Sequence, residues 1–197
     1  MDRDGTVCEE VGYVNHVDRL RLIEGSAEAI QKANRAGFQT VLVTNQAGVA
    51  RGYMSEELVG ETHDRLRDLL ADHDARLDGI YYCPHHPDVG PSRYHKACDC
   101  RKPEPGMLLR ARDEMGIDLG GSYVIGDSIK DVQTAKRVGA SGILVLTGYG
   151  RGQLEYQSAA WPVRPDHVAE NLLEAVNWIL ERGDGLSEGP ANPGRSS

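Results

Sequence analysis

The sequence predicts a single α/β domain in three layers, a Rossmann-like parallel sheet with helices on both faces. Three observations predict it. Short β-rich runs alternate along the chain with segments of helical period. Polar residues collect just past the strands, where open parallel sheets bind their ligands. The chain has 197 residues, 40% hydrophobic and 26% charged, which suffices for one core with little left over.

The elements follow in order. Ser26 is placed to cap a helix presenting Ala29, Ile30, Ala33 and Ala36, closed by Gly37. Residues 39–43 read as a strand ending at Thr44, Asn45 and Gln46. A helix over about 55–73 carries Leu58, Leu66, Leu69 and Leu70 on one face. Residues 79–82 form a strand that leads into Cys83 and Pro84. A helix after Pro105 brings Leu108, Ala111 and Met115 together, and the strand 123–125 ends at Gly126 and Asp127. A helix from about Lys130 carries Val132, Ala135 and Val138. Strand 143–146 and a last helix, 168–181, with Leu172, Val176, Ile179 and Leu180 inward, complete the domain over 1–182. The remainder, 183–197, is rich in Gly, Pro and Ser and is expected to be a disordered tail.

Lys and Arg number 22 against 30 Asp and Glu, so the net charge is −8. A nucleic-acid or anionic-membrane binder would show a basic face instead. No apolar run approaches the length of a membrane span, and the start, MDRDGTV, has no apolar signal region. The expectation is a cytoplasmic protein acting on a small molecule, without nucleic-acid or membrane partners, and monomeric by default. Of four cysteines, Cys83, Cys98 and Cys100 crowd together, the pattern of a metal site more than of a disulfide framework.

Four short motifs carry chemistry. Asp2 and Asp4 lie two apart in extended chain, so both carboxylates point the same way, and Gly5 permits a sharp exit. Thr44 and Asn45 follow an apolar run, where a hydroxyl and main-chain N–H groups hold a phosphoryl oxygen. Lys102, between Arg101 and Pro103 before a helix, supplies a fixed ammonium. Asp127 ends a strand, with Asp131 one helical turn beyond. Each has a plainer reading alone: a solvated acidic terminus, a turn, a solvated loop, an acid at a helix start.

Their order and placement together resemble the haloacid dehalogenase superfamily of phosphatases over roughly residues 1–150. The resemblance implies a mechanism. Asp2 is the nucleophile that forms an aspartyl-phosphate, and Asp4 protonates the leaving oxygen and then activates water. Mg²⁺ is held by Asp2, the main-chain carbonyl of Asp4, and Asp127. Thr44 and Lys102 hold the equatorial oxygens. Asp131 orients Lys102 or supports the metal shell.

Cys83, His85, Cys98 and Cys100 form a C-x-H…C-x-C pattern suited to a closed tetrahedral Zn²⁺ site. The alternatives are free core cysteines, or a strained Cys98–Cys100 disulfide; the polar flanks argue against burial in a core. The C-x-H spacing favours His85 over His86. A closed site is structural, and its task is to fold a loop, 83–100, too short to own a core. That loop runs directly into Arg101 and Lys102. No gap in the chain is long enough for a large cap domain, so the site is expected to be open.

Asp2 to Thr6, Gly12-Tyr13-Val14, the run from Thr44 to Gly52, the run from Asp78 to Pro87, and the run from Cys98 to Pro103 narrow the resemblance to the D,D-heptose 1,7-bisphosphate 7-phosphatase family. That family removes the 7-phosphate on the route to ADP- or GDP-activated heptose for surface polysaccharide such as lipopolysaccharide. The resemblance implies substrate contacts from Glu10, Val11, Gly12 and Tyr13, from Thr44, Asn45, Gln46 and Ala47, and from Arg101 and Lys102. Arg51, by charge and placement, is assigned to the second phosphate. Members often carry Lys at position 128, where this chain has Ser128. Histidinol-phosphate phosphatase shares the DxDGT motif and a zinc loop and is the nearest alternative.

The chain departs from that pattern at one place. In the family DxDGT ends a central strand, and here only Met1 precedes it, so the first strand is missing from this sequence. Its buried side chains would be worth about 5–12 kcal/mol at roughly 1.5–3 kcal/mol each. Either the true start lies upstream, or the chain is a non-catalytic zinc-binding module; the intact catalytic residues favour the first.

Overall fold

The computed structural model describes residues 1–91 and 93–184. Strand β1 (Val41–Asn45) pairs in parallel with β2 (Gly79–Cys83), in register Val41 to Gly79 through Asn45 to Cys83. Strands β3 (Tyr123–Gly126), β4 (Ser141–Val145) and β5 (His167–Ala169) form a second parallel sheet in that order. Met1 and Asp2 stand between the two. The Met1 amino group donates to the Val41 carbonyl at 2.8 Å, and the Val43 N–H donates to the Met1 carbonyl at 2.9 Å. On the other side the Asp2 N–H donates to the Ile125 carbonyl at 2.9 Å. One rung of a parallel strand therefore joins β1 to β3.

Helices cover both faces. Leu42, Ile125, Ile143 and Val145 pack against Ile30 of α1 (Ser26–Arg35), Leu66 and Leu70 of α2 (Glu56–Ala71), and Leu172 and Val176 of the last helix. Val43, Tyr81 and Val124 face the other way, toward Met107, Leu108 and Ala111 of α3 (Gly106–Met115) and Ala135 of α4 (Ile129–Arg137). This alternation is the period-2 pleat expressed as two cores. Helix α5 (Gly150–Gln157) follows β4, and α6 (Leu172–Asp184) closes the described chain. No described helix is long and apolar enough to cross a membrane.

Several elements differ from expectation. Ser26 is the first residue of α1 rather than its cap. The cap is Gly25, whose φ of 81° is open to glycine at little cost. The buried stripe of α2 is Val59, Thr62, His63, Leu66 and Leu70, with Leu58 and Leu69 half-buried. Strand β1 begins two residues later than predicted, and β4 spans Ser141–Val145 rather than 143–146. Val168 belongs to strand β5, not to a helix, and the last helix begins only at Leu172. Helix α5 was not predicted. The tail expected from 183 falls, apart from two positions that close α6, outside the described residues.

Candidate active site

The carboxyl end of β1 delivers Thr44 and Asn45, that of β3 delivers Asp127, and the Met1–Asp2 rung delivers Asp2 between them. Carboxylate oxygens of Asp2, Asp127 and Asp131 lie within 4.8 Å of one another. Three acids that close repel unless a cation offsets them. Lys102 supplies one positive charge from within. Its Nζ lies 2.8 Å from Asp2 Oδ2 and 2.6 Å from Asp131 Oδ1, and donates to the Val43 carbonyl at 2.9 Å. Burial works against the ammonium, but the Asp131 and Asp2 carboxylates outweigh it and hold its pKa above the ordinary lysine value. One lysine does not satisfy three acids. Burial, with the charges of Asp2 and Asp131, pushes Asp127 up to about 8 against a hydrogen bond from Tyr149 that lowers it. An all-oxygen donor set with surplus negative charge suits a hard divalent cation such as Mg²⁺.

Lys102 is held at both ends of its residue. Asn45 Oδ1 accepts from the Lys102 N–H at 3.0 Å, and Asn45 Nδ2 donates to the Lys102 carbonyl at 3.2 Å. Asp131 does two things, pairing with Lys102 and closing the capping box that starts α4. There Ser128 Oγ accepts from Lys130 N–H and Asp131 Oδ2 accepts from Ser128 N–H. Ser128 is thus a helix cap in this chain.

Asp127 sits in a cradle made by two glycines. A Cβ on Gly5 (φ 77°) or on Gly148 (φ 52°) would come within 2.1 Å of Asp127 Oδ2. The Tyr149 N–H donates to that oxygen at 2.8 Å, and Thr147 Oγ1 donates to the Gly5 carbonyl at 2.6 Å. The loop after β4 therefore forms one wall of the site, which the sequence motifs did not indicate.

The Asp4 carboxylate is not one of the three clustered acids and is held in a clamp of its own. Arg3, 1% exposed, donates through Nε to Asp4 Oδ1 at 3.0 Å and through Nη2 to Oδ2 at 2.9 Å. Gln46 joins them. Its Oε1 accepts from Arg3 at 2.9 Å, and its Nε2 donates to Asp4 Oδ2 at 2.8 Å and to Thr44 Oγ1 at 2.9 Å. Behind Arg3, His63 Nε2 lies 3.4 Å from Nη1, and burial with the Arg3 charge lowers the His63 pKa to about 3. Arg3 and His63 escaped the motif reading. Arg3 lies between Asp2 and Asp4 in a charged run that carries no signal of burial.

Of the residues assigned to substrate, Asn45 and Gln46 spend their side chains on Lys102 and Asp4. Thr44 is buried beside them, and Ala47 opens the turn in which the Arg51 N–H donates to the Ala47 carbonyl. The loop bearing Glu10, Val11, Gly12 and Tyr13 comes near enough to the site for the Asp4 and Asp2 charges to act on Glu10. The Gly12 N–H donates to Glu10 Oε1 at 2.5 Å, and Tyr13 meets Tyr53 edge-on with centroids 4.9 Å apart. Burial raises the Glu10 pKa. Arg51 is exposed, its Nη2 3.2 Å from His86 Nε2, and Arg101 donates to the His85 carbonyl at 3.1 Å.

A second donor cluster lies in the loop before Arg101. Cys83, Cys98 and Cys100 sulfurs are 3.1–3.5 Å apart, and His85 Nδ1 lies 3.3 Å from Cys100 and 3.7 Å from Cys83. A tetrahedron with Zn–S bonds of about 2.3 Å has edges of roughly 3.8 Å, and the four donors gather within that span. His86 faces Arg51 and Asp88 instead. Contact with Cys83 and burial raise the Cys100 thiol pKa, and burial raises that of Cys98. Protonated thiols packed this closely gain most when a metal replaces the protons. Cys8 stands apart, buried as a free thiol whose pKa burial pushes up to about 12.

Acids, a lysine and a threonine at the carboxyl ends of a parallel sheet define a phosphoryl-handling hydrolase, and the HAD-hydrolase-like family model matches residues 99–175. A crystal structure described as D,D-heptose 1,7-bisphosphate phosphatase from B. bronchiseptica, complexed with magnesium and phosphate, superposes with a TM-score of 0.82. It is 34% identical and covers 92% of this chain and 96% of that one. D-glycero-beta-D-manno-heptose-1,7-bisphosphate 7-phosphatase of Escherichia coli strain K12 is 42% identical over 182 residues, 91% of this chain and 86% of that protein. Its counterpart in Photorhabdus laumondii is 47% identical over 150 residues, 75% and 79% of the two chains. The chain belongs to the heptose-1,7-bisphosphate 7-phosphatase family of haloacid dehalogenase-type hydrolases and is a phosphatase.

Proposed function

We propose that this phosphatase removes the 7-phosphate of D-glycero-D-manno-heptose 1,7-bisphosphate and leaves the 1-phosphate in place. The observation that carries the reading is the convergence of Asp2, Lys102, Asp127 and Asp131 in one cluster, in a chain 42% identical to a phosphatase of that name over 91% of its length.

Asp2 is the nucleophile. Its Oδ1 accepts from the Arg3 N–H at 2.7 Å and its Oδ2 meets Lys102, which fixes the carboxylate for attack on phosphorus. As the Asp2 oxygen bonds to phosphorus, the bond to the sugar oxygen at C7 breaks, and Asp4 gives that oxygen a proton. Asp4 then takes a proton from the water that attacks the aspartyl-phosphate, which restores the Asp2 carboxylate and releases phosphate. Thr44 and Lys102 hold the phosphoryl oxygens while charge moves between them. The Arg3–Gln46 clamp sets the direction from which Asp4 serves both halves. Asp2, the Asp4 main-chain carbonyl and Asp127 would hold Mg²⁺, which supplies positive charge against the repulsion between an anionic nucleophile and a phosphate dianion. Cys83, His85, Cys98 and Cys100 would hold Zn²⁺, which ties the loop whose end positions Arg101 and Lys102. Arg51 and Arg101 are assigned to the remainder of the substrate, Arg51 to the second phosphate.

The test is phosphate release from both anomers of heptose 1,7-bisphosphate, with histidinol phosphate and fructose bisphosphate as comparators, the product followed by ³¹P NMR. The expected product keeps its anomeric phosphate signal and loses the C7 phosphomonoester. Faster turnover of histidinol phosphate would sink the assignment.

A further inference from the structure

The His86 side chain, 15% exposed, is approached by a donor at each ring nitrogen. The Asp88 N–H donates to Nδ1 at 3.1 Å, and Arg51 Nη2 lies 3.2 Å from Nε2. A neutral imidazole has one lone pair and one N–H, and a guanidinium only donates. With Nδ1 accepting from Asp88, Nε2 carries the proton, so two N–H donors face each other across 3.2 Å. Protonating the ring would add a second conflict at Nδ1 and leave the first in place. Unpaired cations on a surface are ordinary, but two opposed donors call for an acceptor that serves both.

Main chain builds this opposition. A Cβ on Gly90 (φ 104°) would come within 2.3 Å of the Ala50 carbonyl oxygen, so the loop after His86 lies directly against the residue before Arg51. The His86 N–H is tied to the Tyr94 carbonyl at 3.0 Å. Asp88 apart, the charges around the ring have one sign. Arg101, Arg51 and Lys130 all come near enough for their charges to act on it. No ion pair among the described residues uses any of these three cations, in a chain of net charge −8. Arg101 and Lys130 each adjoin in sequence one member of the Lys102–Asp131 pair, whose atoms lie 2.6 Å apart, so the group borders the phosphoryl site.

We propose that the His86 Nε2–H and Arg51 form an anion subsite for a phosphate dianion, with charge added by Arg101 and Lys130, and that His86 is a specificity-determining residue for substrates bearing a second phosphate. A tetrahedral oxyanion presents several lone pairs within one small group and accepts from both opposed donors at once. The specificity role rests on the reading of the substrate as a bisphosphate; the subsite itself does not.

The test has two arms, both on the full chain. In the first, ¹H–¹⁵N NMR of the histidine rings follows the addition of inorganic phosphate. The expected result is an Nε2–H tautomer at His86 whose signals move saturably with phosphate, a response lost in Arg51→Ala. An Nδ1–H tautomer, or signals that phosphate does not move, overturns the subsite whatever the substrate proves to be. The second arm compares turnover of heptose 1,7-bisphosphate with that of heptose 7-phosphate. His86→Ala is expected to raise KM for the bisphosphate at least about tenfold, with kcat and the monophosphate KM changed by less than about twofold and bound zinc unchanged. His86→Gln, which keeps an N–H donor, is expected to recover part of the loss. Equal losses on both substrates, or no loss on either, overturns the specificity role. Weaker inhibition by free phosphate in His86→Ala, with the bisphosphate KM unchanged, assigns the subsite to free phosphate and overturns that role too. A His86 signal that responds to phosphate in a protein that turns over neither sugar phosphate supports the subsite and sinks the heptose reading alone.

Discussion

The molecule holds two clusters of metal-type donors joined by a short stretch of chain, and they are built on opposite principles. The carboxylates of Asp2, Asp127 and Asp131 sit on a strand end, a helix start and a one-residue rung, and they enclose their own cation, Lys102. The sulfurs of Cys83, Cys98 and Cys100 with His85 sit on a strand end and a loop, and they pack against one another. The first cluster has its arrangement fixed by main-chain ladders, the Asn45 clamp and the capping box of α4. The second gathers its donors from a loop tied only by scattered bonds, Tyr94 Oη to Glu56, the His86 N–H to the Tyr94 carbonyl and Arg101 to the His85 carbonyl. A cluster of the first kind can exchange its ion and keep its shape, which is what a reaction cycle needs. A cluster of the second kind would spend a bound ion on shape.

That contrast can be broken from either side. The largest effect is expected from Asp2→Asn, which removes the proposed nucleophile from the rigid cluster. Phosphate release should fall by at least about 10⁴-fold while the Tm moves by only a few degrees. A variant keeping its rate would reassign the nucleophile. Brief EDTA treatment should come next, abolishing activity that Mg²⁺ restores while zinc measured by atomic emission stays with the protein. Loss of both metals together would erase the distinction between the clusters. Cys98→Ser should leave less than half an equivalent of zinc and cut the rate roughly 10–100-fold through displacement of Lys102. Asn45→Ala, which frees the Lys102 main chain without touching a metal ligand, should lower kcat about tenfold with smaller change in KM.

The smallest effect concerns the support behind Asp4. Burial and the Arg3 charge hold His63 in its neutral form, with a pKa of about 3 in the folded protein. The unfolded chain binds a proton there below about pH 6.5, which the folded chain does not. The folded state therefore loses stability as pH falls from about 6.5 toward 3, by up to a few kcal/mol from this residue. Denaturant midpoints measured across that range should show the loss, and His63→Asn should flatten it.

The sheet and most helices were legible because apolar periodicity states them directly, as in Ala29, Ile30 and Ala33 or in Leu66 and Leu70. Two elements were not. Helix α5 begins Gly-Arg-Gly and buries only Gly150, so it has no apolar stripe to announce it. Strand β5 is three residues long, too short for alternation, and its Val168 reads equally as the first apolar position of a helix. The site divides in the same way. Its acids and lysine follow strand ends at motif spacing, and the structure gathers them. The Arg3 clamp and the loop carrying Thr147, Gly148 and Tyr149 come from long-range packing, which local spacing does not encode. Asn45 and Gln46 are implied as substrate contacts by the family resemblance, and their side-chain partners in this chain, Lys102 and Asp4, lie far away in sequence, where no local pattern points to them.

The two glycines around Asp127 have a practical consequence for anyone diversifying this enzyme. Any larger residue at position 5 or 148 would thrust its first carbon into the carboxylate, so these sites belong outside a mutational library aimed at new substrates. At Gly12 and Gly52, by contrast, an added carbon meets nothing within 4 Å, and only the backbone angle restricts the choice, which leaves Asn or Asp as the natural first trials.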